Sequence, residues 1–290
     1  MLLLQWEKVL SSRDKFMSQG LGCKSQELKH TSQDLKRTSQ DLGQTFSQCK
    51  RNFFFSIMQL FYRIITKIIT FVLIVKSIRH HWLVKTLINP QESSRAEAFA
   101  LWMTSPMPMV TLTKRFDVSR VVKVSRRKDM KFNALLCWCI AKAASKMEVF
   151  YTLPEHGSLY RYDRIAVNVI VKNSKGGINS CDIPFSEDVT QFIENYNTLT
   201  SKVAKECNSY FMEDYMIVGT SAMIQTELES IVNQYTDKFS NPMVMWGKYR
   251  KHWLRTTLPI SFQFHHVQMD GGDAAAFLEL LQREIAGLKL

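Results

Sequence analysis

The chain has 290 residues, 46% of them apolar and 22% charged, a balance ordinary for a globular protein and inconsistent with global disorder. Its formal charge of +12 is unevenly placed: residues 1–90 hold 14 Lys+Arg against 5 Asp+Glu, or +9, and the remaining 200 hold 24 against 21, or +3. The larger part of the chain therefore lacks the basic footprint of a nucleic-acid binder, and no nucleic-acid partner is expected.

The first ninety residues read as a basic N-terminal extension outside the main fold. A short apolar start at Met1 to Leu4 is interrupted by Glu7 and Lys8, which does not match a secretory signal. Three heptads follow between Ser25 and Thr45, with one leucine each at Leu28, Leu35 and Leu42. One apolar position per heptad buries too little to hold a coiled coil, so a solvated helix, a disordered tract or a DNA-level duplication all fit. From Phe53 to Ile78 the chain is strongly apolar, but Arg63, Lys67 and Lys76 interrupt it. No uncharged run approaches the roughly 18–20 residues that span a bilayer. A basic amphipathic helix lying on a membrane surface, or one packed on the globular part or a partner chain, are the two readings of this stretch.

Pro90 and the polar run Gln91 to Ser94 mark a boundary, giving a main domain over residues 91–290. Its pattern is mixed α/β. Met109 to Phe116 alternates as a strand, and Asp117 can cap a helix starting at Val118. Lys131 to Met147 reads as a helix apolar around most of its circumference, hence buried. It carries Cys137 and Cys139, which read as buried free thiols rather than a zinc knuckle. Six scattered cysteines make no disulfide framework and suit a reducing cytoplasm. Tyr160 to Lys172 reads as one long strand. Ser186 to Asp188 opens an amphipathic helix with Val189, Phe192, Ile193, Tyr196 and Leu199 on one face. Tyr215 to Ala222 reads as a strand, and Glu227 to Tyr235 as helical or irregular. With no glycine-rich phosphate loop, a Rossmann or P-loop fold is not indicated.

The closing stretch carries the chemistry. Leu258, Ile260, Phe262 and Phe264 alternate with Thr257, Pro259, Ser261 and Gln263, the period of a half-buried strand over Thr256 to His265. Continuing the alternation puts His266 on the apolar side as the strand runs out. Desolvation there favours a neutral imidazole. Asp270 follows, then Gly271 and Gly272, which permit a sharp turn before an amphipathic helix. His265 reads as a strand residue with a structural hydrogen bond.

His265-His266-x-x-x-Asp270-Gly271, ahead of Phe277-Leu278-x-x-Leu281-Gln282, resembles the signature of the chloramphenicol acetyltransferase family of coenzyme-A-dependent acyltransferases. Three further stretches resemble that family in the same order. They are Arg95-x-Glu97-x-Phe99 with Trp102, then Pro242-x-x-x-x-Gly247-Lys248-Tyr249, then Leu258-Pro259-Ile260-Ser261-x-Gln263. The resemblance covers about residues 92–290. It implies an α/β fold, a two-layer sandwich of a mixed β-sheet covered by helices. It also implies acetyl-CoA as co-substrate, a small-molecule hydroxyl acceptor, no metal, and a homotrimer with sites between subunits.

The implied roles are specific. His266 would be the general base, and Asp270 would pair with Arg95 to fix the loop rather than orient the base. Counting from Ser221, the oxyanion donor falls on Thr226, where the family has a serine. Trp102 and Met245 stand at substrate-pocket positions. Met245 replaces a threonine, Asp273 replaces a histidine, and the family's Pro-Trp pair is absent from Ser221 to Thr226. These departures surround the acceptor rather than the thioester. Acetyl transfer to another small hydroxylated molecule is the competing enzyme reading. An inactive binding or membrane-associated protein that keeps the fold is the competing reading of another class.

Overall fold

The computed structural model describes residues 61–67, 85–236 and 238–289. The chain divides into two units, residues 1–77 and 78–290. In the first, residues 61–67 are helical, with Phe61, Tyr62, Ile64 and Ile65 exposed. The heptad-like repeat at 25–45 and the rest of the apolar stretch at 53–78 lie outside the described residues.

The second unit begins earlier than residue 91. Strand β1 (Thr86–Ile88) pairs antiparallel with β4 (Ser158–Arg161), which in turn pairs with β3 (Thr152–Glu155), forming a small three-stranded sheet. Lys85 pairs with Glu155 and its ammonium sits 4.4 Å from the Tyr160 ring centre. Lys85 and β1 therefore sit in the same unit as residues 91–290.

The main sheet runs β2 (Met109–Asp117), β10 (Thr256–His265), β8 (Met243–Gly247), β7 (Met216–Met223), β5 (Ile165–Lys172) and β6 (Ile178–Pro184), with β9 (Arg250–Lys251) added to β10. The β5–β7 and β7–β8 pairs are parallel and the others antiparallel, so the sheet is mixed. Helices α1 (Ala96–Trp102), α2 (Ser119–Lys128), α3 (Phe132–Ser145), α4 (Val189–Glu206) and α5 (Gly271–Ala286) complete the unit. The α/β two-layer reading holds. The α3 helix is buried along most of its length, as its apolar circumference requires, and Cys137 and Cys139 are free thiols inside it. Burial pushes the Cys137 thiol up to about 12 and that of Cys139 higher still, so neither ionises.

Several elements differ from the sequence reading. The strand expected over Tyr160 to Lys172 is broken: Tyr162 to Arg164 turn the chain from β4 in the small sheet to β5 in the main one. Tyr162 is buried there, its hydroxyl donating to Glu155 and its N–H to the Tyr151 carbonyl at 2.7 Å. Asp117 ends β2, and its carboxylate accepts from the Ser119 N–H at 2.9 Å, one residue further on than expected. Residues 227–236 carry no regular structure. Strand β6 is absent from the sequence reading because Asn179, Ser180 and Asp182 break its apolar pattern. Asp182 is nevertheless buried, accepting from Asn168 Nδ2 at 2.7 Å and from the Met212 N–H at 2.8 Å.

The largest departure concerns β10. Leu258, Ile260, Phe262 and Phe264 face the helices, where Phe262 packs on Phe264, Phe150 and Phe277 with ring centres 4.6–6.0 Å apart. The other side is buried too: Ser261 is 1% exposed and Gln263 3%. The irregular segment 227–236 covers it. Ser261 Oγ accepts from the Ile231 N–H and exchanges a bond with Thr113 Oγ1, both at 2.8 Å. Gln263 Nε2 donates to the Asn233 carbonyl at 3.1 Å and to Thr111 Oγ1 at 3.2 Å. Left unbonded, each of these buried groups would cost about 1–3 kcal/mol. Period-2 alternation correctly separates two faces but does not say whether the polar one is wet.

Candidate active site

The site grows from the C-terminal end of β10. His265 is the last strand residue and is 2% exposed. Its Nδ1 accepts the Val267 N–H at 3.1 Å, which leaves the proton on Nε2. Burial first, and the neighbouring His266 second, lower its pKa to about 4, so the ring is neutral in the folded protein at neutral pH. This is the structural hydrogen bond expected of it.

His266 continues on the side of Phe264, whose ring meets it edge-on with centres 6.5 Å apart. The indole of Trp102 lies flat on its other contact surface, with ring centres 4.8 Å apart and planes inclined by 11°. The backbone N–H of His266 donates to the Pro108 carbonyl at 2.8 Å. The imidazole Nδ1 is sealed from solvent and finds no hydrogen-bond partner among the described residues. Ring packing, not a hydrogen-bonded carboxylate, therefore sets the plane of this imidazole.

Arg95 holds the loop from the residue preceding α1. Its Nη2 donates to the His266 carbonyl at 2.7 Å and its Nε to the Val267 carbonyl at 2.9 Å. The expected Arg95–Asp270 ion pair is present, Nη1 to Oδ2, but at 3.7 Å it is the loosest of the three contacts. The grip on two backbone carbonyls is what the sequence did not disclose, since a carbonyl has no residue-type signature. Trp102 closes the same short helix, so α1 brings both the clamp and the stacking ring to the loop.

Asp270 is chiefly a helix cap. One oxygen accepts from the Gly272 N–H at 2.9 Å and the Asp273 N–H at 3.0 Å, and Asp273 accepts back from the Asp270 N–H at 3.2 Å, completing a capping box. The Asp273 N–H, then that of Gly272 and the Arg95 charge, hold the Asp270 carboxyl below the usual range against a small burial penalty. Asp273, standing where the resemblance expects histidine, thus has a local role. The expected sharp glycine turn is not there: Gly271 and Gly272 are the first residues of α5 and neither has a positive φ. Side-chain space beside Gly271 is open, with no atom within 4 Å of a Cβ built there.

Thr226 and Met245 are not brought to this cluster within one chain. Met245 is paired with Ser261 and Ser221 across neighbouring strands, so its side chain lies on their side of the sheet, opposite Phe262 and Phe264. It is buried there at 2% exposure. Thr226, past the end of β7, is exposed, and its hydroxyl makes one long contact of 3.4 Å to the Glu227 carbonyl. Its own carbonyl accepts from the Lys248 N–H at 2.7 Å. That approach explains the glycine of Gly247-Lys248-Tyr249: a Cβ at Gly247 would come within 2.8 Å of the Thr226 carbonyl oxygen. Among the described residues no group of three His, Cys, Asp or Glu is placed to hold a metal.

Known proteins share this chain's sequence pattern and fold. Residues 84–282 match the family model for chloramphenicol acetyltransferase. Chloramphenicol acetyltransferase 3 of Escherichia coli is 23% identical over 186 residues, covering 62% of this chain and 86% of the relative. Chloramphenicol acetyltransferase 2 of the same organism is 21% identical over 202 residues, covering 68% and 95%. A solved chloramphenicol acetyltransferase superposes with a TM-score of 0.61 at 18% identity, covering 70% of this chain and all of the other. A truncated catalytic core of the 2-oxoacid dehydrogenase multienzyme complex from Thermoplasma acidophilum shares the fold at 14% identity, with a TM-score of 0.52 and coverage of 69% and 98%. The chain belongs to the chloramphenicol acetyltransferase family.

Proposed function

We propose that this protein is an acetyl-CoA-dependent O-acetyltransferase that moves an acetyl group directly to a hydroxyl of a small molecule. The observation carrying this reading is the His266 imidazole, stacked on Trp102 and borne on a loop whose carbonyls Arg95 grips. A general base must be pre-oriented, because freezing the reacting groups supplies much of the rate. Nε2 takes the acceptor's hydroxyl proton as the oxygen attacks the thioester carbonyl. The tetrahedral intermediate collapses with cleavage of the C–S bond, and the departing thiolate takes the proton from the imidazolium. No acyl-enzyme forms.

Thr226 is the proposed oxyanion donor, and Trp102 and Met245 the proposed acceptor contacts. The opposite-face placement of Met245 relative to His266 favours a site assembled between copies, as in the homotrimer that the family resemblance implies. Chloramphenicol is the first acceptor to test. A different small hydroxylated acceptor is the second reading, favoured by Met245 in place of threonine and by the missing Pro-Trp pair. A cytoplasmic enzyme fits the free, buried thiols Cys137, Cys139 and Cys181.

Thiol release from acetyl-CoA, followed spectroscopically with chloramphenicol and a panel of alcohols, tests the reading. Release that depends on one of these acceptors is the expected result. A folded protein that releases no thiol with any acceptor would leave an inactive binding protein as the better account.

A further inference from the structure

The hairpin joining β9 to β10 ends in two apolar side chains that stand exposed among the described residues. Trp253 is 97% exposed and Leu254 82%. The tip is a defined turn: the His252 N–H donates to the Arg255 carbonyl at 2.7 Å, and Lys251–Thr256 and Arg250–Thr257 pair below it. Arg250 braces the base through Glu227 at 2.8 Å and Glu229 at 2.5 Å. Beyond that brace, Lys251, His252 and Arg255 are exposed around the apolar pair, and none forms an ion pair among the described residues. Asp117 is the acidic group within electrostatic reach of Arg255.

We propose that this tip is a peripheral anchor for an anionic bilayer surface. Indole rings favour the headgroup level, an adjacent leucine enters the acyl boundary, and flanking cations reach back to lipid phosphates. The area decides between a bilayer and a protein partner. Trp253 and Leu254 together bury roughly 400 Å² at most, far below the roughly 1,200–2,000 Å² of a stable protein interface. A bilayer accepts a small protruding anchor, and the two cations complement its charge. The exposed helix at 61–67 independently repeats this chemistry, with Phe61, Ile64 and Ile65 beside Arg63 and Lys67. No helix among the described residues is long and apolar enough to cross a membrane.

The test uses the full chain and vesicles of phosphatidylcholine, with and without phosphatidylglycerol, some carrying brominated acyl chains that quench indole fluorescence. The protein is expected to sediment with the anionic vesicles and not with the neutral ones. Trp253→Phe should remove a component of the bromolipid quenching, which reports on the tip whatever residues 1–90 contribute. Trp253→Ser/Leu254→Ser and Lys251→Glu/Arg255→Glu should each weaken partition by about tenfold, with circular dichroism unchanged. Equal quenching of wild type and Trp253→Phe, or equal partition of the Ser/Ser variant, would overturn the proposal. A change of oligomeric state in the Ser/Ser variant would assign the tip to a second copy instead. Tighter retention on single-stranded oligonucleotide than on vesicles would also overturn it.

Discussion

The two sides of β10 solve the same problem by different chemistry. Toward the helices, Leu258, Ile260, Phe262 and Phe264 are buried among aromatic and aliphatic side chains. On the opposite side, Ser261 and Gln263 are just as dry, but each is tied to the backbone of the irregular segment 227–236. The strand ends in two histidines with equally different fates. His265 is fixed as a neutral, hydrogen-bonded residue, whereas His266 is held by rings and has an unpartnered nitrogen. Apolar packing supplies stability on one side, and hydrogen bonding specifies how an irregular segment lies on the other.

The sharpest way to break this contrast is on the packed side. Phe262→Ala removes the ring that touches Phe150, Phe264 and Phe277, and should cost about 3–5 kcal/mol in denaturant unfolding. A loss under 1 kcal/mol would mean that the aromatic cluster does not organise the unit.

The next effect comes from His265. Its folded-state pKa lies near 4, below the ordinary 6.5, so between these values the unfolded chain binds the proton and the folded one does not. Stability should therefore fall as pH drops from about 6.5 toward 4, by roughly 3 kcal/mol in total. His265→Gln should flatten that part of the stability–pH curve, as measured by urea unfolding across the window. An unchanged curve would show that His265 titrates normally in the folded state.

Smaller effects separate the two partners of the loop's ion pair. Arg95→Ala strands the His266 and Val267 carbonyls and should cost about 2–3 kcal/mol, with a fall in kcat. Asp270→Asn keeps an amide oxygen for the cap and gives up only a loose charge contact, so about 0.5–1 kcal/mol is expected. Thermal melts of the two variants check the order. Equal losses would restore the ion pair as the main link.

Much of this was legible before the structure. The alternation in β10 placed His266 beside Phe264, and the apolar circumference of Phe132–Ser145 marked a buried helix. Spacing could not reveal contacts to backbone, so the Arg95 grip on two carbonyls and the brace under Gly247 stayed hidden. Strand β6 escaped because its polar residues are satisfied by partners distant in sequence, such as Asn168 and Met212 for Asp182. The glycines after Asp270 pointed to a sharp turn, where the chain simply enters a helix. Local periodicity reports on faces; it does not report on what covers them.

The central claim is that His266, not His265, carries the proton. Steady-state thiol release from acetyl-CoA should be compared for wild type, His266→Ala and His265→Ala, once an accepting alcohol is found. The account predicts a loss of about 10³-fold or more in kcat/KM for His266→Ala. For His265→Ala at neutral pH it predicts a loss within about tenfold, arising from a looser loop. A folded His266→Ala protein that retains more than a few per cent of wild-type activity would contradict it.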